Sequence, residues 1–158
     1  MAENARRGSV ISIHVAPMAE AAMRSVPEAR AVAGRGLEGD RYFMGAGTYS
    51  KTPGTGREVT LVEAEALEAL GRDYGVTLPA NQCRRNLVTR DIPLNHLVGK
   101  EFRVGEVLLR GMRLCEPCGH MDRLAGVKAS SGLVHRGGLR AEIVRGGVIR
   151  AGDALETA

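Results

Sequence analysis

The chain has 158 residues, the length of one ordinary domain that can bury its own core. It has no apolar run of membrane-spanning length and no secretion signal after Met1, so we expect a cytoplasmic protein that does not enter a membrane. The net charge of +4 is modest and aromatic residues make up 3% of the chain, which argues against nucleic acid binding. We expect residues 1–8 to be a flexible N-terminus and residues 9–158 a single domain.

The basic residues are nearly all arginine, because Lys51, Lys100 and Lys128 are the only lysines. Arginine binds phosphate and carboxylate groups bidentately, so an anionic ligand is one interpretation. A solvated basic surface is the other, since the arginines are spread along the chain. The three cysteines are an odd number, which favours chemistry or burial over a disulfide framework.

Residues 9–15 alternate between two faces before Pro17, a pattern that predicts a strand with Ile11, Ile13 and Val15 on its buried face. We expect His14 to lie on the surface or at a sheet edge.

Gly34, Gly36 and Gly39 match the spacing of a dinucleotide-binding loop, but no helix pattern follows them. We therefore do not expect a dinucleotide site there. Residues 44–57 predict a long loop, either a mobile lid or an ordinary exposed loop.

One convincing helix follows a strand at residues 58–61. Thr60 and Glu63 have the spacing of a capping box, and apolar residues recur at helical intervals from Val62 until Gly75. Beyond it, residues 84–89 predict a short strand, and residues 94–98 at most a helical turn with His96 exposed. Arg84, Arg85 and Asn86 at the start of that strand offer hydrogen-bond donors to a phosphate or a pterin edge, or form an ordinary charged strand end.

The second half of the chain is rich in short strands. Residues 102–104 and 107–114 flank a hairpin turn at Gly105 and Glu106, and further strands are predicted at residues 133–135, 139–144 and 148–149, with a second hairpin at Gly146 and Gly147. This spacing predicts a mainly β fold: a closed or nearly closed β-barrel with one long helix and short helical turns inserted, one of them at residues 121–124.

The densest chemistry lies in residues 115–120, where Cys115, Cys118 and His120 surround Pro117. The two cysteines have the spacing of a redox dithiol, but thioredoxin-like sites occur early in a βαβ pattern. With Cys83 or His135 they could instead form a zinc site, although a second pair of closely spaced ligands is absent. The third interpretation is one reactive thiolate, with nearby arginines lowering its pKa. We favour Cys118, which lies between the rigid Pro117 and Gly119.

Several ordered blocks resemble a known family. Residues 36–42 (GLEGDRY), 59–64 (VTLVEA), 84–88 (RRNLV) and 149–153 (IRAGD), with the Pro117–Cys118 pair, are similar to the MOSC domain, a module named for the C-terminus of molybdenum cofactor sulfurases. The resemblance extends from about residue 10 to residue 153. It implies a MOSC-type β-barrel and a single functional cysteine, Cys118.

The resemblance further implies that Arg41, Arg84, Arg85 and Asn86 bind molybdenum cofactor and that Cys118 is its metal ligand. One expected mechanism is reduction of N-hydroxylated substrates, with electrons from a partner protein. The other is sulfur transfer through a Cys118 persulfide, supplied by a cysteine desulfurase partner. Larger relatives use pyridoxal phosphate in an additional domain, and we expect no such site in this chain. The alternative is a protein that is not an enzyme: a non-catalytic β-barrel module that binds an anion or zinc.

Overall fold

The computed structural model describes residues 6–45, 47, 57–117, 122 and 129–157. These residues form mainly strand and one α-helix, and none of their helices is long and apolar enough to cross a membrane. The strands are β1 (Arg7–Val15), β2 (Arg24–Val26), β3 (Glu28–Val32), β4 (Gly36–Leu37), β5 (Val59–Glu63), β6 (Leu87–Arg90), β7 (Glu101–Val104), β8 (Val107–Leu114), β9 (Leu139–Arg145), β10 (Gly147–Arg150) and β11 (Ala154–Thr157). The helix is α1 (Ala64–Tyr74), and 3-10 helices occupy Ala80–Gln82, Leu94–Leu97 and Ser130–Leu133.

The described strands close into a barrel. The order β1-β11-β7-β8-β9-β5-β6 returns to β1, and β2 extends the edge beside it. All these pairs are antiparallel except β5 and β6, which are parallel and joined by a crossover that contains α1. Strands β10, β3 and β4 form a separate small sheet. The predicted mainly β barrel with one inserted long helix is therefore confirmed.

Aliphatic side chains fill two cores, as the scarcity of aromatic residues requires. The barrel interior is centred on fully buried residues such as Leu61, Leu109 and Leu139, and Phe102 contributes an aromatic ring. The second core lies between α1 and the outside of the barrel, and it includes Leu70. Full burial of each such side chain stabilises the fold by roughly 1.5–3 kcal/mol. This packing holds the strands of the barrel wall in place, and the polar side chains of the candidate site extend from those strands and from the segments beside them.

Strand β1 corrects two expectations. The register of β1 against β6 shifts between Val10 and Ser12, which is a β-bulge. Because a bulge reverses the alternation of faces, Val10 is buried and Ile11 is 47% exposed, the opposite of the predicted pattern. His14 is buried as well, not exposed at an edge, since β2 and the chain around Asp40 cover that face.

The N-terminal boundary of the barrel lies earlier than predicted. Strand β1 begins at Arg7, and Arg7 and Gly8 pair with Glu156 and Leu155 of β11. Both residues were placed in the flexible N-terminus, but they take part in closing the barrel. Strand β11 itself carried no clear sequence signal.

The predicted capping box does not form. Helix α1 begins at Ala64, and Glu63 at its N-cap makes no side-chain cap hydrogen bond. Thr60 lies inside β5, where its hydroxyl contacts Asn86 instead. The predicted end is right, because Gly75 takes the left-handed conformation and its N–H donates to the carbonyl of Gly71.

Two other local predictions are wrong. Residues 133–135 are not a strand, because Leu133 ends a 3-10 helix and His135 adopts a positive φ of 59°. Gly146 and Gly147 do not make a β9–β10 hairpin, since β10 pairs with β3 in the small sheet. Gly34 and Gly39 lie in turns on either side of β4 and Gly36 begins it, and no helix follows in the described residues before β5, as expected. The hairpin at Gly105 forms as predicted.

Candidate functional site

The cysteine loop leaves the barrel at the end of β8. Cys115 follows directly after β8 and is 2% exposed; its N–H donates to the carbonyl of Gly138 at 2.7 Å. A side chain on Gly137 would lie 2.4 Å from the Cys115 carbonyl and 2.8 Å from Pro117, so glycine permits the loop to pack closely against the start of β9. Residues 118–121, which include Cys118 and His120, and residues 123–128 lie outside the described residues, and so does most of the helical turn predicted at 121–124.

Arg85 holds this loop in place. Its Nε donates to the carbonyl of Gly137 at 2.7 Å, and Nη2 donates to the carbonyl of Cys115 at 3.1 Å. Nη1 contacts the carbonyl of Cys83 at 3.5 Å. The side chain is buried, and hydrogen bonds from a charged donor contribute about 1.5–3 kcal/mol each. One guanidinium therefore joins the start of β6, the cysteine loop and the segment that leads into β9.

Arg41 is a second buried guanidinium, paired with its neighbour Asp40. Arg41 Nη1 donates to Asp40 Oδ1 at 3.0 Å, and Nη2 donates to the carbonyl of Arg84 at 3.4 Å. The same Asp40 oxygen accepts the N–H of Ala16 at 3.1 Å. Asp40 is fully buried, and its Oδ2 has no hydrogen-bond partner among the described residues. The pair thus connects the chain after β1 to the start of β6, and it leaves one buried carboxylate oxygen available.

Arg84 is only half-buried and adopts a positive φ of 63°. Its Nη1 donates to the carbonyl of Ala21 at 2.5 Å. Burial lowers the pKa of Arg84, and the charge of Arg41 lowers it further, while Asp40 opposes them. Arg84 also borders a surface pocket.

Asn86 uses its side-chain amide within the barrel wall. Its Oδ1 accepts the backbone N–H of Thr60 at 3.0 Å and the Thr60 hydroxyl at 3.2 Å, while Nδ2 donates to the carbonyl of His14 at 3.1 Å. Asn86 is 1% exposed. These contacts join β1, β5 and β6, and its expected contact with a cofactor stays a prediction.

The two described cysteines are both free, buried thiols. Burial raises the pKa of the Cys83 thiol, and its sulfur donates to the carbonyl of Ala80 at 3.0 Å. A buried thiol with a raised pKa is a poor nucleophile at neutral pH. Cys83 therefore does not have the environment of a reactive cysteine.

The zinc hypothesis has no assembled site among the described residues, which contain no group of three potential metal ligands. His135, one of the proposed additional ligands, is an exposed residue whose Nδ1 lies 3.3 Å from Glu116 Oε2. The possible ligands Cys118 and His120 are outside the part of the chain that the structure describes, and the zinc reading stays open for them.

Sequence reasoning missed Asp40 and the pair Gly137 and Gly138. Asp40 looked like a loop residue after Gly39, yet it is the buried counter-ion of Arg41. Gly138 has a positive φ of 117°, and a side chain there would lie 2.0 Å from the carbonyl of Leu61. The adjacent glycines were visible in the sequence, but only the fold reveals that they face the cysteine loop.

The fold and site together define a class: a closed β-barrel in which a buried arginine, Arg85, holds a cysteine-containing loop against the wall. The MOSC domain model matches residues 48–156, most of the chain, and the chain therefore belongs to the MOSC domain family. This family is associated with the molybdenum cofactor. No curated protein matches the chain.

Solved structures share this fold at low sequence identity. The YuaD protein of Bacillus subtilis is 16% identical with a TM-score of 0.79, and the match covers 97% of this chain and 96% of that one. YiiM of Geobacillus stearothermophilus is 14% identical with a TM-score of 0.73, over 96% of this chain and 75% of that one. YiiM of Escherichia coli is 19% identical with a TM-score of 0.65, over 95% and 69%. At such identities the likeness shows the fold alone.

Proposed function

We propose that this protein works with molybdenum cofactor through one reactive thiolate, Cys118, as an oxidoreductase that reduces N-hydroxylated substrates. The observation that carries the proposal is the set of three arginines around residues 83–85, one of which holds the base of the cysteine loop. Arg41 Nη2 donates to the carbonyl of Arg84, Arg85 Nη1 contacts the carbonyl of Cys83, and Asp40 is the carboxylate paired with Arg41. Such a cluster favours an anionic ligand and an ionised thiol.

The donor set fits a phosphorylated pterin with a soft metal. Arginine donors suit a phosphate, a thiolate suits molybdenum, and the unpartnered Oδ2 of Asp40 is an acceptor for an N–H group. When bound, the cofactor would supply a two-electron centre that can remove oxygen from a substrate nitrogen. The residues that would hold it are Cys118 for the metal, with Arg41 and Arg84 for the anionic part.

The other described residues serve to position this site. Arg85 donates hydrogen bonds to the carbonyls of Gly137, Cys115 and Cys83. Its role is therefore to fix the position of the loop that carries Cys118. Asn86 fixes the strands behind it. In this proposal a partner protein supplies the two electrons that the reduction consumes.

Elemental analysis tests the proposal on protein produced in a host that synthesises molybdenum cofactor. We expect about one molybdenum per wild-type chain and none in Cys118→Ser, because the metal would lose its thiolate ligand. Cys115→Ser is the matched control and should retain molybdenum, since the Cys115 thiol is buried in the loop base.

Three results would argue against this function. Stoichiometric zinc without molybdenum would favour the zinc-binding barrel. Equal loss of metal in Cys118→Ser and Cys115→Ser would point to the two cysteines acting together. An additional sulfur atom on Cys118 in the absence of pterin would favour the sulfur-transfer mechanism, in which a donor persulfide transfers its outer sulfur to the Cys118 thiolate and leaves as a thiolate.

A further inference from the structure

Asp122 is a described residue of the cysteine loop, and its carboxylate accepts hydrogen bonds from three groups further along the chain. Oδ1 accepts the N–H of Ala129 at 2.8 Å and the N–H of Ser130 at 2.9 Å, and Oδ2 accepts the Ser130 hydroxyl at 2.6 Å. Hydrogen bonds to a carboxylate are roughly twice as strong as those between neutral groups. Asp122 therefore connects the far side of the loop to the start of the 3-10 helix Ser130–Leu133.

The 3-10 helix that Asp122 binds is itself fixed by packing. Ala129 and Leu133 are buried in the second core, between α1 and the outside of the barrel. A side chain on Gly132 would overlap Leu70 of α1, so the 3-10 helix packs closely against α1. The Asp122 carboxylate is therefore bound to a well-packed part of the fold.

The near side of the same loop is held by different contacts. The Glu116 carboxylate accepts the N–H of His135 at 3.0 Å, and Gly137 packs closely against Pro117. Both sides of the loop thus contact one stretch of chain, residues 129–138, which runs from the 3-10 helix to β9.

Cys118 lies between these two anchored points in the sequence, one position after Pro117 and four before Asp122. A short segment between two fixed ends has few conformations, and their number rises with the length of the segment. Without the Asp122 contacts, the segment between anchored residues of the described chain would lengthen from 118–121 to 118–128. The Asp122 contacts therefore restrict the segment that contains the cysteine.

We propose that Asp122 is a positioning residue for Cys118: by holding the loop, it keeps the thiol in the ionised form that the proposed function requires. The inference rests on the proposed function, which gives Cys118 its reactive role. Asp122 acts here through the position of the loop, because a negative charge near a thiol would by itself favour the protonated form.

The test measures the rate of Cys118 alkylation by iodoacetamide as a function of pH, followed by peptide mass spectrometry. Asp122→Ala removes both the anchor and the charge, whereas Asp122→Asn removes the charge and keeps an Oδ1 acceptor. We expect the pH midpoint of alkylation in Asp122→Ala to rise by about one unit, toward the ordinary thiol value of about 8.5. The midpoint of Asp122→Asn should stay near that of wild type.

Two further measurements separate positioning from folding. Cys83 and Cys115 are at most 2% exposed, and they should stay unmodified in the folded Asp122→Ala variant. Amide hydrogen exchange should become faster in peptides from residues 116–130 and stay unchanged in peptides from β5 and β6. An unchanged midpoint in Asp122→Ala would overturn the proposal, and so would a lowered midpoint in both variants, which is the result of a charge effect alone. Alkylation of Cys83 and Cys115 in the folded variant would also overturn it, because Asp122 would then support the whole fold.

The same data distinguish this inference from the proposed function. A wild-type Cys118 with the midpoint of a free cysteine, in a protein that holds no molybdenum, would refute the proposed function and leave Asp122 no thiolate to position. A low midpoint in wild type and in Asp122→Ala alike, with molybdenum in both proteins, would refute only the role of Asp122.

Discussion

At the scale of single residues, the polar groups divide into those that hold the wall together and those that face a ligand. Asn86 and Arg85 belong to the first group, because their hydrogen bonds end on backbone atoms of neighbouring segments. Arg84 belongs to the second. The sequence placed all three side by side, but the left-handed conformation of Arg84, with a φ of 63°, is visible only in the fold, so the sequence alone could not separate their roles.

Asn86→Ala should lower the free energy of unfolding by roughly 2–4 kcal/mol even without any ligand. The substitution removes three buried hydrogen bonds, which Asn86 makes to the Thr60 N–H, the Thr60 hydroxyl and the His14 carbonyl. Urea denaturation measures the effect. Asn81→Ala, at an exposed amide, is the control and should change stability little; equal effects of the two variants would contradict the structural role of Asn86.

His14 gives the fold a dependence on pH. Burial lowers the pKa of His14 below its ordinary value of 6.5, so the unfolded chain binds a proton more readily than the folded one. Stability from this residue is therefore present above pH 6.5 and is lost as the pH falls below it. We expect thermal unfolding of wild type to shift downward between about pH 8 and about pH 5 by more than that of His14→Gln. Identical shifts in both proteins would refute this.

At the scale of elements, the cysteine loop packs closely against the start of β9 because two residues there have no side chain. Two glycines precede β9 because the carbonyls of Cys115 and Leu61 occupy the space of their side chains. The periodicity of α1 and its end at Gly75 could be predicted from the sequence, because both depend on residues close together in the chain. The pairing of β10 with β3 could not be predicted, because it depends on contacts between residues more than a hundred positions apart.

Gly138→Ala should destabilise the protein by at least about 3 kcal/mol. The new Cβ would overlap the Leu61 carbonyl, and the positive φ of 117° adds strain. Gly71→Ala, inside helix α1, is the contrasting substitution, since outside the helix the nearest atom to its new Cβ is the carbonyl oxygen of Val76, 3.7 Å away. It should stabilise by about 0.5–1 kcal/mol. If the Gly138→Ala variant and wild type have the same melting temperature, the packing of Gly138 against Leu61 is looser than described.

At the scale of the whole molecule, β1 and β11 close the barrel, and we propose that the chain forms a single domain. The mainly β class and the barrel were predictable from short, regularly spaced strands and one long helix. The closing pair was not, because β11 is four residues long and the contribution of Arg7 and Gly8 is made through the backbone.

Deleting residues 1–8 should therefore destabilise the barrel. The truncation removes the pairing of Arg7 and Gly8 with β11 and the contacts between Arg6 and Thr157, at roughly 1 kcal/mol per hydrogen bond. Arg7→Ala, which deletes only a mostly exposed side chain, should leave the melting temperature nearly unchanged. If the truncated and full-length proteins unfold together, barrel closure does not require these residues.

The central claim is that one thiol, Cys118, is reactive while Cys83 and Cys115 are buried structural residues. Brief alkylation of the folded protein with iodoacetamide, followed by peptide mass spectrometry, measures each thiol separately. We predict rapid modification of Cys118, with Cys83 and Cys115 reacting only after denaturation, because both are at most 2% exposed. Alkylation of Cys115 in the folded protein at the same rate as Cys118 would contradict the account.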